Sequence, residues 1–243
     1  MRALVFAKRN TLEILRDPLT IGFGLGFPIA LLLLLTAIQK NIPVSLFEIE
    51  HLTPGITTFG LSFMTLFCAT VIAKDRQSAF LERLYTTPMK PLDFIIGYTL
   101  PIIPISVLQC ALTYATAFIL GLKPTVNVLY ATLLIIPISL LYIALGLLFG
   151  SILNDKQVGG ICGALLTNVS AMLSGIWFDL SLMGKAVNTV ANLLPFVHGV
   201  ELERCVIKGN FYAALPHLLW VLGYAVAILA LAVLLFLKQM KKR

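Results

Sequence analysis

Long apolar stretches recur along this chain of 243 residues, and they restrict its fold more than any other feature. Each stretch is about 20 residues long, which is the length that an α-helix needs to cross a hydrocarbon core of ~30 Å. Charged residues make up only 12% of the sequence and hydrophobic residues 59%. This composition excludes an ordinary soluble domain and predicts an all-α membrane protein.

The apolar stretches predict six transmembrane helices within a single domain that covers residues 1–243. The predicted spans are residues 20–38, 54–73, 94–120, 128–153, 158–177 and 218–237. An even number of spans places both termini on the same side of the membrane.

The distribution of basic residues predicts which side faces the cytoplasm, because Lys and Arg are enriched in cytoplasmic loops. The side that holds the termini carries Arg2, Lys8, Arg9, Arg16, Lys74, Arg76, Arg83, Lys90, Lys156, Lys238, Lys241, Lys242 and Arg243. The other side carries only Lys40, Lys123, Lys185, Arg204 and Lys208. We therefore expect both termini in the cytoplasm and the chain in the cell (inner or plasma) membrane. Basic residues that cluster at membrane flanks do not indicate a nucleic-acid partner.

Residues 1–18 predict an amphipathic helix that lies in the membrane plane and ends at Pro18. Its expected apolar face consists of Leu4, Val5, Ala7, Leu12, Ile14 and Leu15. Its expected polar face consists of Arg9, Asn10, Glu13, Arg16 and Asp17. We expect this helix to contact membrane lipid.

A charged segment between two apolar stretches, residues 75–88, predicts a short helix at the cytoplasmic surface. The helical period places Phe80, Leu81, Leu84 and Tyr85 on one side. It places Asp75, Glu82, Arg83 and Thr86 on the other side. A helix of this kind suits the docking of a soluble partner, and a solvated connector explains the same pattern equally well.

The longest connection, residues 178–215, predicts a broken helical pair on the outer side. Pro195 separates an apolar stretch from a second short helix over residues 196–207. We expect a re-entrant or interfacial segment, which requires burial in protein or contact with a water-filled cavity. A helix lying on the outer leaflet is the alternative.

The sequence contains few groups that could perform catalysis or couple transport to ions. No predicted span carries an acidic or basic residue near its middle, which argues against a proton antiporter, although backbone-coordinated sodium sites stay open. His51, His198 and His217 show no helical metal-ligand spacing, and hydrolase motifs are missing. A Walker motif is also missing, so we expect no catalytic residue, no metal site and no cofactor on this chain.

Two sets of neutral residues could line a transport path. Phe59, Phe63 and Phe67 recur every four residues along the second predicted span. Asn168, Ser170 and Ser174 lie in the fifth predicted span. Helix packing is the competing explanation for both sets, because small polar and aromatic residues commonly join membrane helices.

Three segments, in this order along the chain, resemble a known family. They are Arg9-Asn10…Glu13…Arg16-Asp17-Pro18, then Asp75-Arg76…Leu81-Glu82-Arg83-Leu84…Thr86-Thr87-Pro88…Pro91, then Gly175-Ile176-Trp177-Phe178…Leu193-Leu194-Pro195-Phe196…Glu201…Arg204. Together they resemble the membrane subunit of ABC-2-type exporters, whose second segment follows the pattern E-R-x-x-G-T-L-E-R-L-x-x-T-P. Ser78-Ala79-Phe80 departs from the Gly-Thr that is frequent in this family, which leaves the substrate subgroup open.

The resemblance implies that two six-span permeases, identical or different, rest on separate ATP-binding cassette ATPase subunits that hold ATP and Mg²⁺. It assigns the coupling contacts to Arg76, Phe80, Leu81, Glu82, Arg83 and Leu84, with Arg9, Glu13 and Arg16 from the first helix. It also implies that spans one, two and five line a path near the twofold axis and that the outer segment caps this path.

We therefore expect an exporter permease without enzymatic activity of its own. Its cargo would be amphipathic or lipid-like, such as a drug, a natural product, a lipid, a lipid-linked glycan or a peptide. The alternative is a secondary transporter or channel that works alone. A membrane enzyme ranks last, because only outer-facing His and Glu residues favour it.

Overall fold

The computed structural model describes residues 2–43, 47–78, 80–87, 89–177 and 179–241. These residues are helical almost throughout, and no β-strand occurs among them. The predicted all-α class is confirmed.

Short and long helices alternate in the first half of the chain. They are α1 (Arg2–Arg16), α2 (Pro18–Ile21), α3 (Phe27–Gln39), α4 (Ile49–Gly60), α5 (Ser62–Gln77), α6 (Phe80–Tyr85) and α7 (Pro91–Thr99). A π-helical segment, Gly22–Gly26, joins α2 to α3.

The second half contains the two longest helices. Its helices are α8 (Ile102–Ile119), α9 (Val126–Ile152), α10 (Asp155–Val158), α11 (Thr167–Leu173), α12 (Lys185–Leu193), α13 (Pro195–Ile207) and α14 (Phe211–Lys241). A second π-helical segment, Gly159–Leu166, joins α10 to α11, and a 3₁₀ turn, Leu180–Met183, precedes α12.

Five helices among the described residues are long and apolar enough to cross a membrane. They are Gly22–Gln39, Ile49–Gln77, Pro91–Ile119, Val126–Ile152 and Phe211–Lys238. Each coincides with a predicted span, and in the third of them a turn at Leu100 and Pro101 separates α7 from α8. The predicted fifth span falls on α10, the second π-helical segment and α11, which are not among these five.

Helix α9 lies at the centre of the bundle, because it packs against α5, α8, α13 and α14. Two glycines let α5 approach it closely. A Cβ atom at Gly146 would lie 2.5 Å from the Cβ atom of Cys68, and one at Gly150 would lie 2.9 Å from the Cα atom of Ala69. The short distance between these two spans therefore depends on the missing side chains.

The outer segment forms the broken helical pair that its sequence predicts. Helix α12 ends at Leu193 and α13 begins at Pro195, with extended backbone at Leu194. Most residues of α13 are buried, because the helix packs against α4, α9 and α14. This burial favours a helix enclosed in protein over one that lies on the membrane surface.

Helix α1 differs from the two-faced helix that the sequence predicts. Its buried residues are Phe6, Ala7, Asn10 and Ile14, whereas Leu4, Val5, Leu12 and Leu15 are exposed. The helix has three faces, because one packs against the protein, one presents apolar side chains outward and one is charged. Placing Asn10 on the exposed polar face was wrong, since its side-chain amide is buried and donates to the carbonyl oxygen of Gly97 at 2.9 Å.

Candidate coupling site and transport path

A bidentate ion pair joins the N-terminal helix to the C-terminal end of the second predicted span. Nη1 of Arg9 donates to Oδ2 of Asp75 at 2.8 Å, and Nη2 lies 2.8 Å from Oδ1. Nη2 also pairs with Glu13 one turn further along α1, at 2.7 Å. Paired hydrogen bonds of this kind fix the relative orientation of the two groups, so α1 and α5 are held in one geometry.

Asp75 is buried, so the prediction that it lies on a solvent-exposed face was wrong. Its side chain is 1% exposed, and Oδ2 accepts a further hydrogen bond from the hydroxyl of Tyr98 at 2.9 Å. The prediction treated residues 75–88 as one surface helix. In the structure α5 continues to Gln77, so Asp75 still belongs to the packed end of the span.

Aromatic rings surround the same ion pair. The guanidinium carbon of Arg9 lies 4.6 Å from the centre of the Phe80 ring, which is cation–π geometry. Phe6 of α1 lies edge-on to Tyr98 at 4.9 Å and to Phe94 at 5.9 Å. The Arg9 cluster, defined as Phe6, Arg9, Asp75, Phe80 and Tyr98, therefore joins α1, α5, α6 and α7.

Arg76 is held by the protein itself, although it was predicted to contact a partner. Its Nη1 atom donates to the carbonyl oxygens of Gly150 at 2.9 Å and Leu153 at 3.2 Å. These carbonyls lie at the C-terminal end of α9, where backbone acceptors lack partners within the helix and favour a positive charge. The structure thus gives Arg76 a helix-capping contact.

The short helix α6, which follows the second predicted span, has both buried and exposed side chains. Leu81 is buried, Phe80 and Leu84 are half-buried against the core, and Arg83 is exposed. The predicted helix over residues 75–88 is therefore divided between the end of α5 and α6. Residues 79 and 88 and the side chain of Glu82 lie outside the described part of the chain.

The two remaining predicted contacts of α1 differ in exposure. Glu13 is half-buried and pairs with Arg9, and burial raises the pKa of this carboxyl while the guanidinium opposes the rise. Arg16, in the last turn of α1, is exposed. Arg16 and Arg83 are therefore the predicted coupling cations that a partner could reach most directly.

The three phenylalanines of the second span lie together on one buried face. Phe59 and Phe63 pack edge to face at 5.7 Å, and Phe63 meets Phe27 of the first span at the same distance. Phe59 also contacts Trp177, which follows α11, at 5.7 Å. The structure thus places the aromatic face between spans one and two, close to the fifth predicted span.

The polar residues predicted in the fifth span do not share one face. Ser170 and Ser174 are buried, and their hydroxyls donate to the carbonyl oxygens of Thr167 and Ala171, both at 3.0 Å. Asn168 is exposed, and its amide donates to the carbonyl oxygen of Ala164. Only Asn168 therefore presents a polar group away from the bundle.

Sequence reasoning missed a buried acid in the outer segment. Glu203 of α13 is 0% exposed, and its Oε2 atom accepts from the hydroxyl of Tyr114 at 2.7 Å. Its Oε1 atom has no hydrogen-bond partner among the described residues. Burial raises the pKa of Glu203 to about 8, although the Tyr114 hydrogen bond opposes the rise. The sequence pattern predicts an outer connection at this position, and it contains no signal that this side chain is buried.

Arg204, which the resemblance includes, connects three parts of the outer side. It is 5% exposed, and its guanidinium bonds Glu201 at 2.8 Å and the carbonyl oxygen of Gly175 at 3.0 Å. It also lies 3.4 Å from the carbonyl oxygen of His51 at the start of the second span. The contacts indicate a structural role in fixing α13 against α4.

A comparison with protein families gives a match over most of the chain. The sequence model described as ABC-2 type transporter matches residues 2–207. A search of curated proteins gave no match. The matched range runs from the start of α1 to the end of α13, so it contains the whole Arg9 cluster and the outer helical pair.

Proposed function

The chain belongs to the ABC-2 type transporter family, and we propose that it is the permease of an exporter driven by a separate ATP-binding cassette ATPase. It is a multi-pass membrane protein and an ABC transporter permease. Members of this family pair with an ATPase subunit and dimerise. The proposal extends these properties to a specific docking surface, direction and class of cargo, with ATP and Mg²⁺ bound by the partner.

The ion pair between Arg9 and Asp75 is the observation that carries the proposal. It links the in-plane helix α1 to the end of the second span, and Phe80 of α6 stacks against the same guanidinium. A force applied to α6 would therefore move α1 and α5 together. This arrangement suits a permease that receives mechanical work from a subunit docked below the membrane.

The docking surface consists of exposed positions beside this cluster. Arg16 and Arg83 are its solvent-accessible cations, and Phe80, Leu81 and Leu84 hold α6 against the bundle. Arg9, Glu13 and Arg76 support the surface from within, because their charged groups already have intramolecular partners. Glu82 belongs to the same predicted surface.

The proposed topology has six spans with both termini in the cytoplasm of the cell membrane. Helix α10, the second π-helical segment and α11 together form the fifth of these six membrane crossings. Residues 178–215 form the outer re-entrant segment that caps the path, as the burial of α13 suggests. The predominance of basic residues on the side of the termini supports this orientation.

A second permease copy, identical or different, completes the transporter. A Cβ atom added at Gly22, Gly26 or Gly159 would meet no atom within 4 Å, so these positions leave open backbone on the first and fifth predicted spans. Close approach of helices from another copy would use such positions. The cargo path would run between the copies, near Phe59, Phe63, Phe67 and Asn168, with Ser170 and Ser174 behind it.

The proposed cargo is amphipathic or lipid-like, because aromatic side chains along the path favour contact with apolar groups. The alternative function is a secondary transporter or channel that works alone. The family match does not support this alternative for the chain. Its described spans carry charged residues only towards their ends, such as Asp75 and Lys74.

The test is affinity purification of the tagged chain from its own cells in mild detergent. We expect a stoichiometric ATPase subunit, which charge reversal by Arg83→Glu or Arg16→Glu removes. Lys156→Glu is the matched control, because Lys156 is also exposed and lies on the same predicted side. Leu81 is unsuitable for this test, since a change at a residue that is 2% exposed would disturb packing as well as docking.

A homo-oligomer that lacks an ATPase and transports in vesicles without ATP would contradict the proposal. If the complex still forms and hydrolyses ATP after both charge reversals, the proposed docking surface is wrong, but the proposed exporter function is retained.

A further inference from the structure

A cavity of about 670 Å³ lies between α1 and the cytoplasmic end of α5. Helix α1 lines it with Arg9, Leu12, Glu13 and Arg16. Helix α5 lines it with Phe67, Thr70, Val71 and Lys74. Both sets follow the spacing i, i+3, i+4, i+7, so two continuous helix faces enclose the α1–α5 cavity.

The wall that α5 contributes changes from charged to apolar with depth. Lys74 lies near the cytoplasmic end of the helix, and Phe67 lies seven residues deeper, about 10 Å along the axis. Phe67 is 5% exposed and packs over Gly24, where a Cβ atom would come within 2.6 Å of its ring. The cavity therefore has a charged mouth and a fixed apolar end.

The mouth holds the cations Arg16 and Lys74 beside one carboxylate, Asp17, that the Arg9–Glu13 pair does not include. Glu13 pairs with Arg9 at 2.7 Å, and Oδ2 of Asp17 accepts from the hydroxyl of Thr20 at 3.0 Å. Arg16 and Lys74 are exposed, and neither forms an ion pair within 4 Å among the described residues. Two exposed cations at the mouth of an apolar cleft favour a ligand whose anionic group is attached to an apolar chain.

We propose that the α1–α5 cavity binds an amphiphile with an anionic headgroup. Arg16 and Lys74 contact the anion, and Phe67 and Val71 contact the first part of the apolar chain. The ligand is either cargo on its way to the path or a phospholipid of the cytoplasmic leaflet. Its role as cargo rests on the proposed export function, whereas binding by the chain alone does not.

The test measures dodecyl phosphate binding to the full-length chain in a neutral maltoside detergent by calorimetry. Arg16→Gln and Lys74→Gln should each weaken binding about tenfold, because a charge-assisted hydrogen bond contributes about 1.5 kcal/mol or more. Lys74→Arg should retain most of the affinity. Lys156→Gln is the matched control and should bind as the native chain does.

Equal affinity of the double variant Arg16→Gln/Lys74→Gln and the native chain would overturn the proposal. Equal or tighter binding of dodecyltrimethylammonium would also overturn it, since that probe carries the same chain with a positive head. Preserved elution volume and circular dichroism of the variants exclude loss of fold as the cause.

Native mass spectrometry then distinguishes the two sources of the ligand. A single retained phosphatidylglycerol that dodecyl phosphate displaces identifies a resident lipid. No retained lipid, together with a faster ATPase rate of the assembled complex when the probe is added, identifies cargo. Both results are consistent with the proposed binding site. If no ATPase is recovered with the chain, the exporter proposal is rejected, and the binding result is unaffected.

Discussion

The carboxylate of Asp75 receives both terminal nitrogens of the Arg9 guanidinium, each at 2.8 Å, across 66 positions of sequence. The pair is asymmetric, because the Asp75 side chain is 1% exposed and that of Arg9 is 38% exposed. The acid is thus enclosed by the bundle, while the base remains partly accessible to solvent. Among the described residues, displacement of Arg9 leaves the buried Asp75 carboxylate with the Tyr98 hydroxyl as its remaining side-chain donor.

Asp75→Asn should lower the stability of the chain. The change removes one charge from the pair and leaves Glu13 as the carboxylate that still pairs with the guanidinium, at a cost of about 2 kcal/mol, below that of a fully buried pair. Thermal unfolding in detergent measures the loss. Glu50→Gln, at an exposed acid, is the control and should leave the unfolding temperature unchanged. An unaltered unfolding temperature for Asp75→Asn would show that the pair contributes nothing.

Arg76 and Arg83 should separate structural from docking effects. Arg76→Met removes the cation from two carbonyl oxygens at the end of α9 and should cost about 1 kcal/mol of stability in the isolated chain. Arg83→Met should leave the isolated chain as stable as before, because Arg83 is exposed. Unfolding temperatures of the two variants, measured side by side, check this. If both variants unfolded at the native temperature, the capping role of Arg76 would be wrong.

Gly146→Ala should destabilise the bundle, whereas Gly159→Ala should not. The new methyl group at residue 146 would lie 2.5 Å from the Cβ atom of Cys68 and 2.9 Å from the carbonyl oxygen of Thr65, so α5 and α9 must move apart. Overpacking of this kind costs about 1–3 kcal/mol. At residue 159 nothing lies within 4 Å. The measurement is the unfolding temperature of the two variants at equal protein concentration. Equal decreases in unfolding temperature would contradict the packing of α5 on α9.

Glu203→Gln should remove a pH dependence of stability. The folded-state pKa of about 8 lies above the usual value of 4.5, so the native state holds a proton that the unfolded chain releases. Stability of the native chain should therefore fall as pH rises from about 4.5 to 8, and the Gln variant should gain relative to it across this window.

The measurement for Glu203 is the unfolding temperature of both chains at several pH values between 5 and 9. The difference between them should grow with pH and level off above pH 8. Glu48→Gln, at an exposed residue, is the control and should follow the native curve. A constant difference across the series would mean that Glu203 is charged in the folded chain.

The sequence predicted the broad architecture because a segment that crosses hydrocarbon must be apolar and long enough to span it, whereas charged segments lie in water. Apolar length identified five of the spans, and Pro195 identified the division of the outer helical pair. Proline and glycine act through local backbone geometry, so their effects can be read without knowing any neighbour. The amphipathic character of α1 was likewise visible, although which residues it buries was not.

Particular contacts of the candidate site could not be predicted in the same way. Asp75 and Asn10 both looked like surface residues, since a polar side chain ordinarily lies in water unless a specific partner replaces it. Those partners, Arg9, Tyr98 and the carbonyl oxygen of Gly97, come from distant parts of the chain. Arg76 was likewise predicted to face a partner protein, and only the position of α9 shows which carbonyls it binds.

The sequence by itself determined that this chain lies in a membrane, where five of its predicted spans fall, and which family it resembles, because hydrophobicity and local motifs are properties of consecutive residues. The tertiary structure decided which polar groups are buried, which cations remain free at the α1–α5 cavity, and which glycines hold helices together. These depend on hydrogen bonds and packing between residues far apart in sequence, whose geometry exists only once the helices have assembled.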